Sequence, residues 1–157
     1  MQAAEIREKR DEFLSFRLGE EEYAIDILQV REIRPHETPT RIAGAPDFVK
    51  GVINLRGTIV PIVDLRARFG LPPRAASSDP VVIILAIAER PLGIVVDGVS
   101  DVVALAAGEI RPAPVEFATL VERGFVRGLA PIDERLLIVV DLVALLGDPA
   151  PAERQAA

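Results

Sequence analysis

Several residue types are scarce in this chain, and their scarcity limits its chemistry. The 157 residues include no cysteine, no tryptophan and a single histidine, His36. Disulfides are therefore excluded, and the usual zinc sites and Cys–His nucleophile pairs cannot be built. We predict that His36, between Pro35 and Pro39, is an ordinary exposed loop residue. A chain without cysteine is also typical of the reducing cytoplasm, where we expect this protein to reside.

Positive charge and aromatic side chains are also in short supply. Eighteen Lys and Arg stand against 24 Asp and Glu, which gives a net charge of −6, and aromatic residues make up 4%. A basic stripe for phosphates and stacking platforms for bases are both missing, so we expect no nucleic-acid partner. The longest apolar runs, 81–88 and 136–140, are far shorter than the roughly 20 residues that cross a bilayer. We expect no direct membrane insertion.

What the chain does contain is a series of short apolar runs rich in Val and Ile, separated by Gly, Pro and Asp. Runs of this length and composition predict β-strands. The predicted strands, five in each half, are 13–18, 22–27, 30–33, 51–55 and 58–63, then 81–88, 91–96, 99–105, 125–131 and 136–140. The charged ends, 1–12 and 148–157, are predicted to be flexible tails.

The two halves resemble each other. Residues 48–70 align with 125–147 without a gap, with eight of 23 positions identical, and residues 13–33 align with 82–102. In both copies a hairpin is followed by Asp (Asp64, Asp141), an apolar run and Gly (Gly70, Gly147). We predict that each Asp caps a short helix and each Gly ends it.

The repeat predicts a mainly β fold of two pseudo-symmetric five-stranded barrels packed together, with short helices. A barrel of about 60 residues has little core of its own, so the two would share one. We place one domain at 13–147, with barrel one at about 13–70 and barrel two at about 81–147. Exchange of strands between the barrels is left open.

The copies differ at one hairpin tip, where "INLRGTI" (53–59) stands against "APIDERL" (130–136). Asn54 and Gly57 are turn formers that tolerate positive φ, which places Arg56 at or beside the tip of a tight turn. Three uses of the arginine are open: a solvated turn residue, an internal ion pair, or a rigidly presented partner contact. Pro61 in the following strand predicts an edge strand or a bulge.

Four segments in order carry a family resemblance: "FLSFRLGEEEYAIDILQVREI", "FVKGVINLRGTIVPIVDLR", "GIVVDGVSDV" and "IRPAP". Together they closely resemble the CheW family of bacterial chemotaxis coupling proteins, from about Phe13 to Gly147. The resemblance implies SH3-like barrels and no enzymatic activity or cofactor. It also implies two partners: the cytoplasmic signalling tips of methyl-accepting chemoreceptors, and the regulatory domain of the histidine kinase CheA. The implied location is the cytoplasm, beside membrane receptor arrays.

The resemblance also implies partner-binding residues. Arg56 is similar to the family's receptor-contact arginine, and Asn54 and Gly57 share its turn. The other implied partner-binding positions are Val30, Glu32, Ile33, Gly51, Val81, Val99, Val102 and Phe117. For the valines and isoleucine, plain core packing is an equal alternative.

Two other functions stay open at this point. One is the same fold serving a non-flagellar chemosensory pathway. The other is a small-ligand barrel or hydrolase that uses Asp97, Asp101 and Arg56, which would require a polar pocket joining the three. The glycines show no phosphate-binding spacing, and a turn role for Asp97 and Asp101 is favoured over acid–base chemistry.

Overall fold

The computed structural model describes residues 9–72, 79–117 and 125–147. Ten strands make up most of the described chain, and the predicted strands coincide with them to within a few residues. They are β1 (Arg10–Leu18), β2 (Glu21–Asp26), β3 (Val30–Pro35), β4 (Val49–Leu55), β5 (Thr58–Asp64), β6 (Val81–Ile87), β7 (Arg90–Val96), β8 (Gly98–Ala106), β9 (Val126–Ile132) and β10 (Arg135–Val140).

The strands form two five-stranded sheets with the same topology. The first sheet has the order β8-β1-β2-β10-β9 and the second has the order β3-β6-β7-β5-β4. In each sheet one pair is parallel, β2 with β10 and β7 with β5, and the remaining neighbours are antiparallel. The two orders are equivalent: each strand of the first sheet corresponds to the strand five places later or earlier along the chain, so that β1 corresponds to β6 and β10 to β5. The mainly β fold and the duplication predicted from the sequence are therefore confirmed.

Strand exchange distinguishes this fold from two consecutive barrels. The first sheet joins β1 and β2 to three strands of the second half, and the second sheet joins β3, β4 and β5 to β6 and β7. Boundaries at 13–70 and 81–147 therefore do not separate the sheets. The chain crosses between sheets after β2 and again after β7, because each copy gives its first two strands to one sheet and its last three to the other.

The core consists of three apolar clusters, one of which joins the two sheets. The largest draws on both sheets, with Phe16 and Ile138 from the first and Ile83 and Ile94 from the second. Each sheet also has a smaller cluster of its own on its opposite face. Strands β1 and β6 bury both faces, which explains why "VVIILAI" is apolar throughout instead of alternating with polar residues.

A short helix follows each hairpin, as the repeat predicted. The Asp64 carboxylate accepts a hydrogen bond from the Arg66 amide at the start of α1 (Leu65–Arg68), and Gly70 then has a φ of 76°. In the second copy Asp141 accepts hydrogen bonds from two amides, but Gly147 is the last residue of a π-helix (Val143–Gly147). The caps are confirmed, and the predicted left-handed ending applies to Gly70.

Two local predictions were wrong. Arg10, Asp11 and Glu12 belong to β1, where they pair with Leu105 and its neighbours, because β8 extends far enough to give them backbone partners. Pro61 lies on β5, inside the sheet, so the edge alternative is wrong, and the register shift of the β4–β5 pair falls at Val49/Gly51, opposite Ile62 and Val63, not at Pro61 itself. It is tolerated there because pairing of β5 with β7 begins one residue later, at Ile62. The rest of the N-terminal tail and the C-terminal tail lie outside the described residues.

Candidate partner-binding site at the β4–β5 turn

The β4–β5 hairpin closes with a two-residue turn, Arg56–Gly57. Leu55 and Thr58 pair across it, and the two turn residues have φ values of 51° and 88°. Positive φ at both central residues is what hairpin turns of type I′ require. Asn54 does not take the positive φ expected of it. Its side-chain oxygen instead accepts a 2.8 Å hydrogen bond from the Gly57 amide, so Asn54 and Gly57 position Arg56.

Arginine is an unusual choice for this backbone conformation, since a left-handed L-residue costs about 1–2 kcal/mol. The second copy keeps the conformation and changes the residue: Asp133, at the equivalent position, has a φ of 54°. Ala88 and Glu89 also have positive φ, so backbone strain alone does not mark a site. What distinguishes Arg56 is the charge that the turn presents.

The Arg56 side chain reaches from this turn to the opposite edge of its sheet. One guanidinium nitrogen lies 2.5 Å from a carboxylate oxygen of Glu32 on β3, and Arg34 lies 3.4 Å from the other oxygen. The hydrogen bond from Arg56 lowers the pKa of the Glu32 carboxyl, and Arg34 adds to this effect. Because β3 and β4 are the two edge strands, the pair bridges the open side of the sheet.

The pair leaves most of Arg56 in contact with solvent. The Arg56 side chain is 70% exposed, against 30% for Glu32. Two large apolar side chains of the same sheet are also exposed: Ile33 on β3, next to Glu32 in the sequence, at 46% and Ile59 on β5 at 59%. Ile59 pairs directly with Asn54 beside the turn. The result is a fixed cation with apolar side chains nearby, a composition suited to protein contacts.

Four of the remaining predicted residues lie elsewhere. Val30 and Val81, at the starts of β3 and β6, are half-buried against the central cluster, and so is Val99 on β8. For these three valines the core-packing alternative describes what the structure shows. Val102 is 49% exposed, but it lies on β8 in the first sheet, whereas Arg56 belongs to the second.

Gly51 has a structural reason to be glycine. Its φ is 142°, and a Cβ atom there would overlap the carbonyl oxygen of Thr40, which crosses β4 at this point. Gly128 in the second copy meets the carbonyl oxygen of Arg111 in the same way. The buried position of Gly51 thus reflects a close crossing of two backbones.

Phe117 is the last residue of a short 3-10 turn (Val115–Phe117), which precedes residues outside the described ranges. Its implied role in partner binding stays a prediction. Val115 in the same turn is 80% exposed.

One polar network was not predicted from the sequence, and it is the counterpart of the Glu32–Arg56 pair. Asp101, which aligns with Glu32, accepts hydrogen bonds from Arg135 at 2.9 and 3.1 Å. Arg135 also binds both oxygens of Glu22, and the fully buried Ser15 hydroxyl donates to Asp101. The hydrogen bonds from Arg135 lower the pKa of both carboxyls. A serine inside the apolar run "FLSFRL" was the available signal.

The three groups of the hydrolase alternative do not share a site. Asp97 accepts hydrogen bonds from the Gly19 amide and from Arg66, each at 2.6 Å, while Asp101 pairs with Arg135 and Arg56 pairs with Glu32. His36 is exposed outside the strands, as predicted. Within the described ranges no group of three or more potential ligand side chains could hold a metal ion. None of the helices described is long and apolar enough to cross a membrane.

The family that matches this chain is described as the CheW-like domain, and the match covers residues 12–150. The chain belongs to the CheW family. Its similarity to the chemotaxis protein CheW of Klebsiella aerogenes is 55% identity over 135 residues, which is 86% of this chain and 81% of that protein. The chemotaxis protein CheW of Bacillus subtilis is 34% identical over 87% of this chain and 86% of its own length.

A solved CheW structure supports the same assignment. The scaffolding protein TtCheW from Thermoanaerobacter tengcongensis superposes with a TM-score of 0.78 at 34% identity, over 89% of this chain and 94% of that one. The family resemblance inferred from the sequence is confirmed. Membership of this family assigns the chain to the chemotaxis scaffold proteins. The Arg56 turn lies on the second of its two strand-exchanged sheets.

Proposed function

We propose that this CheW-family chain is a cytoplasmic adaptor that couples chemoreceptor signalling tips to the regulatory domain of the histidine kinase CheA. It performs no catalysis. Its contribution is geometric, because it holds two docking surfaces at a fixed distance on one rigid core. The observation that carries the proposal is the Arg56 turn: a cation fixed by Glu32 and by the Asn54–Gly57 hydrogen bond, yet 70% exposed.

The receptor is the proposed partner at this turn. The outer positions of coiled coils often carry Glu and Lys, and a guanidinium binds a carboxylate through two parallel hydrogen bonds. The turn lowers the ordering cost of that contact because its backbone is already fixed. Exposed Ile33 and Ile59 supply apolar area beside the cation. Val102 and Phe117, and the half-buried Val30, Val81 and Val99, are secondary positions in this proposal.

The kinase is the proposed partner of the strand edges. A regulatory domain with the same fold would dock barrel to barrel, and each contact is expected to bury about 800 Å² per partner or less. Interfaces of this size bind modestly on their own. Many copies assembled beside the membrane would raise the effective strength through multivalency.

The experiment is a calorimetric titration of the chain with a soluble receptor-tip fragment, in parallel with the Arg56→Ala variant. We expect Arg56→Ala to weaken receptor binding while kinase-domain binding stays unchanged. Equal receptor affinity for the two proteins would contradict the proposed role of the turn.

A further inference from the structure

A second candidate surface lies on the first sheet. An open cavity of about 550 Å³ is bounded by the start of β2, the β9–β10 hairpin and Pro114. We call it the β10 groove, and its apolar floor consists of Leu129, Leu136 and Ile138. Leu136 is 53% exposed, although it is the second residue of β10 and the rest of that strand after it is apolar and buried. Exposed apolar area of this kind is typical of an interaction site.

The rim of the β10 groove is acidic. Glu20, Glu21, Glu22 and Glu134 line it, and the lining contains one cation, Arg135. That arginine is engaged, since it binds Glu22 at 2.7 Å and Asp101 at 2.9 Å. The groove therefore presents a negative rim around an apolar floor, and its one positive charge is neutralised from within the molecule.

Comparison with the other copy shows that the two related surfaces differ in charge. Leu136 aligns with Ile59, and both are exposed, at 53% and 59%. Glu134 aligns with Gly57 and Asp133 with Arg56, so the hairpin that presents a cation in one sheet presents two carboxylates in the other. The duplication has kept the apolar residue and reversed the charge beside it. The Arg56 turn therefore suits an acidic partner, and the β10 groove suits a basic one.

We propose that the β10 groove is a docking site for a segment of a partner protein that carries apolar side chains flanked by Lys or Arg. The apolar side chains pack on Leu136 and its neighbours, and the basic groups face the glutamate rim. Charge complementarity selects the occupant, because an acidic segment would meet like charges along the whole rim. This surface is separate from the Arg56 turn and goes beyond the adaptor function proposed above.

The probe is a synthetic amphipathic peptide of leucine and lysine, with a matched peptide in which glutamate replaces lysine. The full chain, labelled with ¹⁵N, is titrated with each peptide. We expect the leucine–lysine peptide to move the amide signals of Leu129, Leu136 and Ile138, and the glutamate peptide to leave them unmoved. Leu136→Ser and Glu134→Lys should each weaken binding about tenfold, as interface hot spots do.

Ile59→Ser is the matched control, because it removes an equally exposed side chain from the equivalent position of the other sheet. It should leave peptide affinity unchanged. Both Leu136 and Glu134 are exposed, so their variants are expected to fold, which circular dichroism checks. Receptor-tip affinity measured on Leu136→Ser should equal that of the wild type, which separates this proposal from the role of Arg56.

Several results would overturn the proposal. Unchanged peptide affinity in Leu136→Ser and Glu134→Lys would mean that the peptide binds through the net negative charge of the chain and not at the β10 groove. Equal binding of the glutamate peptide would remove the argument from charge. Self-association that disappears in Leu136→Ser would make a second copy the occupant. Loss of receptor-tip binding in Leu136→Ser would mean that the β10 groove and the Arg56 turn belong to one receptor-binding surface.

Discussion

Replacing Arg56 with alanine separates a contact role from a structural role. The Arg56 guanidinium pairs with Glu32 at 2.5 Å, but the arginine is 70% exposed. Exposed ion pairs contribute little to stability because solvent screens them, so Arg56→Ala should leave the free energy of unfolding nearly unchanged. If Arg56 contacts the receptor, the loss of binding should be larger, about 2 kcal/mol, or roughly 30-fold in Kd.

The assay combines urea denaturation with calorimetric titration against a receptor-tip fragment. Glu32→Gln provides the decisive second variant, because it removes the internal partner and leaves the guanidinium in place. We expect Glu32→Gln to keep receptor affinity within about threefold of the wild type, which is under 1 kcal/mol. Arg111→Ala, an exposed arginine at a bridge to β9, is the control and should change neither quantity.

Two results would refute this reasoning. Unchanged receptor affinity in Arg56→Ala would show that the turn is not the contact. Equal losses of affinity in Arg56→Ala and Glu32→Gln, together with a clear fall in the free energy of unfolding of both variants, would show that the pair acts by holding β3 against the hairpin.

Three further outcomes are expected. Gly51→Ala should destabilise the fold by about 3 kcal/mol in urea denaturation, because the new Cβ would overlap the Thr40 carbonyl oxygen. Gly44→Ala is the control: Gly44 also has a positive φ but open space around it, so this variant should lose only about 1 kcal/mol. Equal losses in the two variants would contradict the backbone-crossing argument. Arg135→Ala should lower stability by about 2 kcal/mol, more than Arg56→Ala, because it removes the charged hydrogen-bond donor that Glu22 and Asp101 share. A loss no greater than that of Arg56→Ala would contradict this. Arg135 lowers the pKa of the Glu22 and Asp101 carboxyls, so these groups stabilise the fold fully above their unfolded pKa values of about 4 and lose that stabilisation as the pH falls through their folded pKa values. Stability should therefore fall less steeply below about pH 4.5 in Arg135→Ala than in the wild type. Identical acid unfolding curves for the two proteins would count against the network.

The strands and the duplication could be predicted from the sequence because they rest on local patterns. Apolar Val and Ile runs between turn residues mark each strand, and Asp64 and Asp141 recur at equivalent positions. The assignment of strands to sheets could not be predicted in the same way. Both copies carry the same strand pattern, so pairing β2 with β10 or with β5 would satisfy the sequence equally well.

The candidate site was predicted in part. Arg56 was located at its turn by the neighbouring Asn54 and Gly57, which are local signals. Its pairing with Glu32 spans 24 residues and depends on β3 and β4 being the two edges of one sheet. Gly51 was predicted to bind a partner on the family resemblance alone, and the crossing of β4 by the Thr40 backbone could not be read from the sequence because it exists only in the folded chain.

The most direct test of the adaptor proposal is co-sedimentation of a receptor-tip assembly with the isolated kinase regulatory domain, with and without this chain. We predict that the regulatory domain sediments with the receptor only when the chain is present, and that Arg56→Ala strongly reduces the sedimented amount while leaving the chain bound to the regulatory domain. Competition between the receptor and the kinase domain for the chain, instead of a three-component complex, would contradict the proposed coupling.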